Sequence, residues 1–139
     1  MEITLLDRSN YFKGLLLLIG KDKKIAGDEK EYLLKLGKVL GFESHYCEQN
    51  IETVIENKYI TDEPIEFSNK ELARVFIRDG IKVAFADDAL HLTEIEWLRS
   101  VLIKNNLSEE WFKGEVSRFI EKDKRKNQID LEIQNYWKN

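Results

Sequence analysis

The sequence has little that interrupts regular structure: one proline, Pro64, and seven glycines in 139 residues. Hairpin signals such as Asn-Gly are missing, which argues against a sheet joined by tight turns. A single cysteine, Cys47, excludes an internal disulfide. The longest purely apolar run, Leu15 to Ile19, is five residues, far short of the ~20 that span a bilayer as a helix. No secretory leader is read at the start of the chain. Basic residues are not in excess either. With 22 Lys and Arg against 26 Asp and Glu, the net charge is −4, and nucleic acid gains no electrostatic footprint. The expectation is a soluble, cytoplasmic protein.

What the sequence does contain is helix-forming: many Glu, Lys and Leu residues between recognisable caps. Ser68–Glu71, Thr93–Glu96 and Asp28–Glu31 have capping-box spacing. Ser108 precedes Glu109 and Glu110, which suit the positive end of a helix. Ser9 and Ser44 are further starts, and Gly41 is a natural stop. Six helices follow, at about 9–21, 28–41, 44–57, 68–87, 93–106 and 108–125, with a seventh over 127–138. The first and fourth are apolar on most sides, so they are expected to be central. In the fourth, Glu71, Arg74, Arg78 and Lys82 mark the polar stripe. The fold class is all-α, in a single domain.

Sliding the chain by 65 residues onto itself brings caps, breaks and core positions into register. Asp22 meets Asp87, Glu29 meets Glu94, Leu33 meets Leu98, Phe42 meets Leu107 and Cys47 meets Phe112. This predicts two three-helix repeats, about 8–56 and 73–121, a linker at 57–67 and a tail at 122–139. The two central helices, as repeat mates, should pack on each other near a pseudo-twofold axis.

A long apolar helix ending near an aspartate, a short loop and a capped helix opening with glutamate, twice over, resembles the TerB-like domain of tellurite-resistance and stress-response systems. "KVAFADDALHLTEIEWLRSVLIKNNLS" is the better copy, and "LLLLIGKDKKIAGDEKEYLLKLGKVLGF" the weaker. Lys23 and Asp88 stand where the family has glycine, and Gly20-Lys21 where alanine is usual. The resemblance implies an all-helical fold of two pseudo-symmetric repeats around a central helix pair. It also implies acidic hairpins proposed to hold divalent cations: Asp87 and Glu94 in the second repeat, Asp22 and Glu29 in the first. A related domain precedes a J-domain in membrane-anchored co-chaperones, but this chain lacks the His-Pro-Asp of a J-domain.

On chemical grounds, a carboxylate at a helix C-terminus needs a positive partner. The N–H groups at the start of the next helix can supply it without any ligand. The alternative is a cation: Asp87, Asp88 and Glu94 offer oxygens suited to Ca²⁺ or Mg²⁺, and His91 a nitrogen suited to Zn²⁺. Neither loop is an EF-hand; counted from Asp87, its third and fifth positions are Ala89 and His91 and its terminal glutamate is Leu98. In the first loop, Lys21, Lys23 and Lys24 crowd Asp22.

Cys47 lies near His45, but its alignment with Phe112 places it on an apolar stripe, away from nucleophile chemistry. The tail is basic at Lys122, Lys124, Arg125 and Lys126, then carries Ile129, Ile133, Tyr136 and Trp137 at helical spacing. It is expected to lie on the domain as a last helix, with a docking role for a partner or membrane as the alternative. No motif requires a cofactor. The expected function is a non-catalytic cytoplasmic module of a stress-response or envelope-associated system. It would act through protein contacts and a candidate divalent cation, and reach a membrane only through a partner or the tail. The other reading is a metal-dependent hydrolase using Asp87, Asp88, His91 and Glu94.

Overall fold

The computed structural model describes residues 1–20, 27–56, 63–85, 92–122 and 132–136. Among them are six helices and no strand: α1 (Leu5–Ile19), α2 (Gly27–Val39), α3 (Ser44–Glu56), α4 (Lys70–Ala84), α5 (Leu92–Lys104) and α6 (Glu109–Lys122). A short 3₁₀ turn, Glu132–Asn135, follows. The described tail therefore holds one tight turn where a full helix was expected.

Local chemistry moves several expected boundaries. α1 starts before Ser9, because Thr4 and Asp7 form a reciprocal capping box: the Asp7 N–H donates to Thr4 Oγ1 at 3.0 Å and the Thr4 N–H to Asp7 Oδ2 at 3.2 Å. α4 is capped by Asn69, whose side chain accepts from the Leu72 N–H at 2.7 Å. Ser68 instead turns its hydroxyl and N–H to Asp7. Thr93 lies inside α5, which begins at Leu92. Ser108 caps α6 as its spacing implies, accepting from the Trp111 N–H at 3.3 Å.

α2 and α5 end in the same way. Gly41 and Asn106 take left-handed φ values of 88° and 56°. Phe42 N–H returns to Gly37 C=O at 2.8 Å and Gly41 N–H to Lys38 C=O at 3.0 Å. The matching bonds run from Leu107 to Leu102 at 3.0 Å and from Asn106 to Ile103 at 3.1 Å. Each closes the orphan carbonyls of its helix.

The core forms around α1 and α4. In α1, Tyr11, Phe12 and Leu15–Ile19 are all buried; in α4, so are Leu72, Ala73, Val75, Phe76, Ile77 and Ile81. The two helices run side by side in one direction, tied from Asp7–Ser68 at one end through Tyr11–Phe76. α2 packs on α1 and α3, and α5 on α4 and α6. Phe76 is the hub: its ring meets Tyr11 edge-on at 5.1 Å, Phe67 at 5.2 Å and Trp97 at 6.1 Å.

Close approach of α2 and α3 depends on Gly37. A Cβ there would sit 2.2 Å from Cys47 Sγ, and Cys47 is buried as the apolar register implied. Gly37→Ala is expected to destabilise by about 1–3 kcal/mol through overpacking, despite a helix-propensity gain of up to ~1 kcal/mol. Adding Cys47→Ala removes the clashing sulfur and should recover most of that loss. Urea denaturation of the two single variants and the double variant measures it.

Candidate functional site

Two buried aspartates organise the polar chemistry of the described residues. Asp7 is 2% exposed and Asp79 is fully buried. Asp7 extends its role as a capping residue across the molecule: Oδ1 accepts the Ser68 N–H at 3.0 Å, and Oδ2 accepts the Ser68 hydroxyl as well as the Thr4 N–H. The starts of α1 and α4 are thereby pinned together. Asn69 Nδ2 adds a bond to the Glu2 carbonyl at 3.2 Å.

Asp79 stands in the middle of α4, one residue past Arg78 on the polar stripe. Its Oδ1 accepts the Glu132 N–H at 2.6 Å; its Oδ2 accepts the Ile133 N–H at 3.1 Å and the Tyr11 hydroxyl. A carboxylate inside α4 thus caps the 3₁₀ turn of the tail. Beside it, Arg78 Nε and an Arg78 terminal nitrogen grip the two Glu132 carboxylate oxygens at 2.6 and 2.7 Å, a bidentate fork of the strong, directional kind. Arg78 also lies 5.9 Å from the Trp111 ring centroid and 3.6 Å from Glu71. Arg78 is therefore not a freely solvated side chain of the polar stripe. Ile133 is completely buried against this face.

Asn105 is a further buried polar group. Its Oδ1 accepts the Phe67 N–H at 2.8 Å, while its Nδ2 donates to the carbonyls of Ile65 at 2.7 Å and Val101 at 2.8 Å. It secures the extended stretch leading into α4 to the end of α5.

Protonation follows from these surroundings. For Asp7, burial works to raise the carboxyl pKa, but hydrogen bonds from Ser68 and Thr4 outweigh it and hold the group below its usual 3.8. At Asp79 burial wins: the carboxyl rises to about 6, although the Tyr11 hydroxyl, the Glu132 and Ile133 N–H groups and the Lys82 charge all oppose the rise. Tyr11 is pushed well above 10.0 by its own burial and by the Asp79 charge.

Asp79 raised in the folded state keeps its proton between pH 4 and 6, where the unfolded chain has released it. Its contribution to stability therefore falls as pH rises through that window. The wild type is expected to lose up to ~3 kcal/mol more unfolding free energy between pH 4 and 6.5 than Asp79→Asn does, measured by urea denaturation. The Asp7 contribution behaves oppositely, being lost only as pH falls below 3.8.

Of the sequence-derived cation ligands, Asp22, Asp87, Asp88 and His91 lie outside the described residues. Glu94 is buried in the first turn of α5, and Glu29 is half-buried in α2. Among the described residues, no three His, Cys, Asp or Glu side chains gather as a metal-holding group. No described helix is long and apolar enough to cross a membrane. The chain matches no family model, no curated protein and no solved structure.

Proposed function

We propose that the chain is a non-catalytic helical binding module of the TerB-like kind, two three-helix units about the α1–α4 pair. We place it in the cytoplasm, in a stress-response or envelope-associated system that it serves through protein contacts. The spacing of the helices supports the architecture. Leu5–Ile19 and Lys70–Ala84 are offset by 65 residues, as are Gly27–Val39 and Leu92–Lys104, and as are the starts of α3 and α6 at Ser44 and Glu109. The N-caps Thr4 and Asn69, and the left-handed residues Gly41 and Asn106, share that offset. The stress-response setting rests on the sequence resemblance alone.

What supports the non-catalytic reading is confined to Asp7 and Asp79, whose buried carboxylates are occupied. A general base or nucleophile needs a lone pair directed at substrate. Both oxygens of Asp7, and both of Asp79, instead accept hydrogen bonds from within the frame. For contacts, α1 presents Leu5 and Leu6, adjacent and both exposed, in its first turn.

The cation belongs to the same proposal, at Asp87, Asp88, His91 and Glu94, with Asp22 and Glu29 as the weaker counterpart. Glu94 supports it only as a buried carboxylate placed where that hairpin enters α5. Thermal unfolding with Ca²⁺, Mg²⁺ or Zn²⁺ tests it, comparing the wild type with Asp87→Asn. A bound ion should raise the wild-type melting temperature with concentration, by an amount set by ligand linkage, and leave Asp87→Asn unmoved. No shift at millimolar ion removes the cation. Metal-dependent hydrolysis of model esters or phosphoesters that disappears in Asp87→Asn would overturn the non-catalytic reading. A photo-crosslinker at Leu6 in the source cells should give a discrete adduct; its absence counts against this contact surface.

A further inference from the structure

The face of α4 around Asp79 holds the chain's own tail. Three separate features of one short segment are read there. Asp79 takes two successive backbone N–H groups, those of Glu132 and Ile133. Arg78 takes the carboxylate of Glu132 through both its oxygens. The Ile133 side chain is removed completely from water. Together they select a turn that opens with an acidic residue followed by an aliphatic one. Main-chain donors, charge and an apolar anchor are also the elements by which peptide-binding grooves discriminate.

The helical frame uses one oxygen of this site, Asp79 Oδ2, to hold the buried Tyr11 hydroxyl, while Oδ1 and the Arg78–Glu132 fork serve the tail. An apolar residue in place of Asp79 would avoid the desolvation of a buried carboxylate, but would leave the Tyr11 hydroxyl and the two tail N–H groups without an acceptor. What a carboxylate adds is direction and selectivity: it accepts only a segment presenting free N–H groups. The residue 65 positions earlier, in α1, is Gly14, which has no side chain to accept a hydrogen bond. The occupying turn is only four residues long and packs on α4, and such short 3₁₀ pieces have little stability of their own.

We propose that this face of α4 is a peptide-recognition site filled in the free protein by Glu132–Tyr136, and that the protein partner displaces this tail with a segment of the same chemistry, Glu or Asp followed by an aliphatic residue at the start of a helical turn. The proposal deepens the reading of the chain as a binding module by naming the surface and the partner's chemistry. The basic side chains on this stretch of α4, Arg78 and Lys82, complement an acidic segment. A tethered occupant competes at an effective concentration reaching the millimolar range, so a free peptide should bind weakly until the tail is disabled.

The test uses the full chain and a fluorescein-labelled peptide of residues 128–139. Ile133→Asp in the protein, which disables the tail, should tighten peptide binding at least ~10-fold over the wild type. Adding Arg78→Ala to that variant should abolish it, and a Glu132→Lys peptide should bind far more weakly. Equal affinity for wild type and Ile133→Asp, or no binding to a cooperatively melting Ile133→Asp chain, would overturn the proposal. A second measurement needs no variant. In wild-type hydrogen exchange, the Glu132 and Ile133 amides should open locally and exchange at least tenfold faster than the amide of core Leu98. Equal protection would mean that the tail is a fixed part of the core, and the proposal falls. That failure would leave the Leu6 crosslink and the hydrolysis assay to decide the binding-module reading separately.

Discussion

Phe76→Ala is expected to lower the unfolding free energy by about 3–5 kcal/mol, the range for deleting a large buried aromatic. Two effects combine. The phenyl ring is fully buried, and it is shared by Tyr11, Phe67 and Trp97, so its removal breaks three favourable ring pairs as well as burial. The surroundings are also poorly able to collapse into the space. Gly14 faces the ring from α1, where even a Cβ would lie 2.6 Å from Phe76 Cζ, and a glycine has no side chain to move into the gap. Phe76→Leu should recover part of the loss. Urea denaturation monitored by tryptophan fluorescence measures both, and a loss below 1 kcal/mol would contradict the central place of this ring.

Asn105→Ala is expected to cost about 2–4 kcal/mol, more than its size suggests. The removed amide leaves the Phe67 N–H and Ile65 carbonyl without their partner, and each buried unsatisfied group costs about 1–3 kcal/mol. The damage should be local first: the Phe67 amide, 6% exposed at the residue level, should lose hydrogen-exchange protection before the middle of α5 does. Asn105→Asp separates the two ends of the side chain. It keeps the acceptor for Phe67 but turns a charge toward the Ile65 and Val101 carbonyls, so it should be at least as disruptive at neutral pH.

These two residues differ in how far the sequence betrays them. The helical order, the burial of Cys47, the stop at Gly41 and the central place of α1 and α4 were all legible, because apolar periodicity and caps act within a few residues. The partners of Asp7, Asp79 and Asn105 were not. Tyr11 lies 68 positions from Asp79, Ser68 lies 61 from Asp7, and Ile65 lies 40 from Asn105, and no local pattern encodes such pairings. One signal was present. Asp79 follows Val75 and Phe76 by one helical turn and is flanked by Ile77 and Ile81, so it falls on the apolar side of α4 rather than on the stripe of Glu71, Arg74, Arg78 and Lys82. An acid there must find donors. Ser68 misled for a different reason: its capping spacing with Glu71 is sound, but Asn69 competes for the same role one residue later and prevails. The tail was read as a helix from its 3.6-residue spacing, whereas the contact seen requires only one turn, fixed by Asp79 and Ile133.

The glycine opposite Phe76 also governs which surfaces can pair. α1 offers a hollow at Gly14 and a hydroxyl at Tyr11; α4 offers the ring that fills the hollow and the carboxylate that takes the hydroxyl. Two α1 surfaces brought together would leave the hollow unfilled and both tyrosines without that acceptor. Two α4 surfaces would bury a pair of like-charged carboxylates beside surplus aromatic bulk. Lock and key have been divided between the two halves, so similar helices within one chain, or in crowded neighbouring molecules, are sorted into unlike pairs.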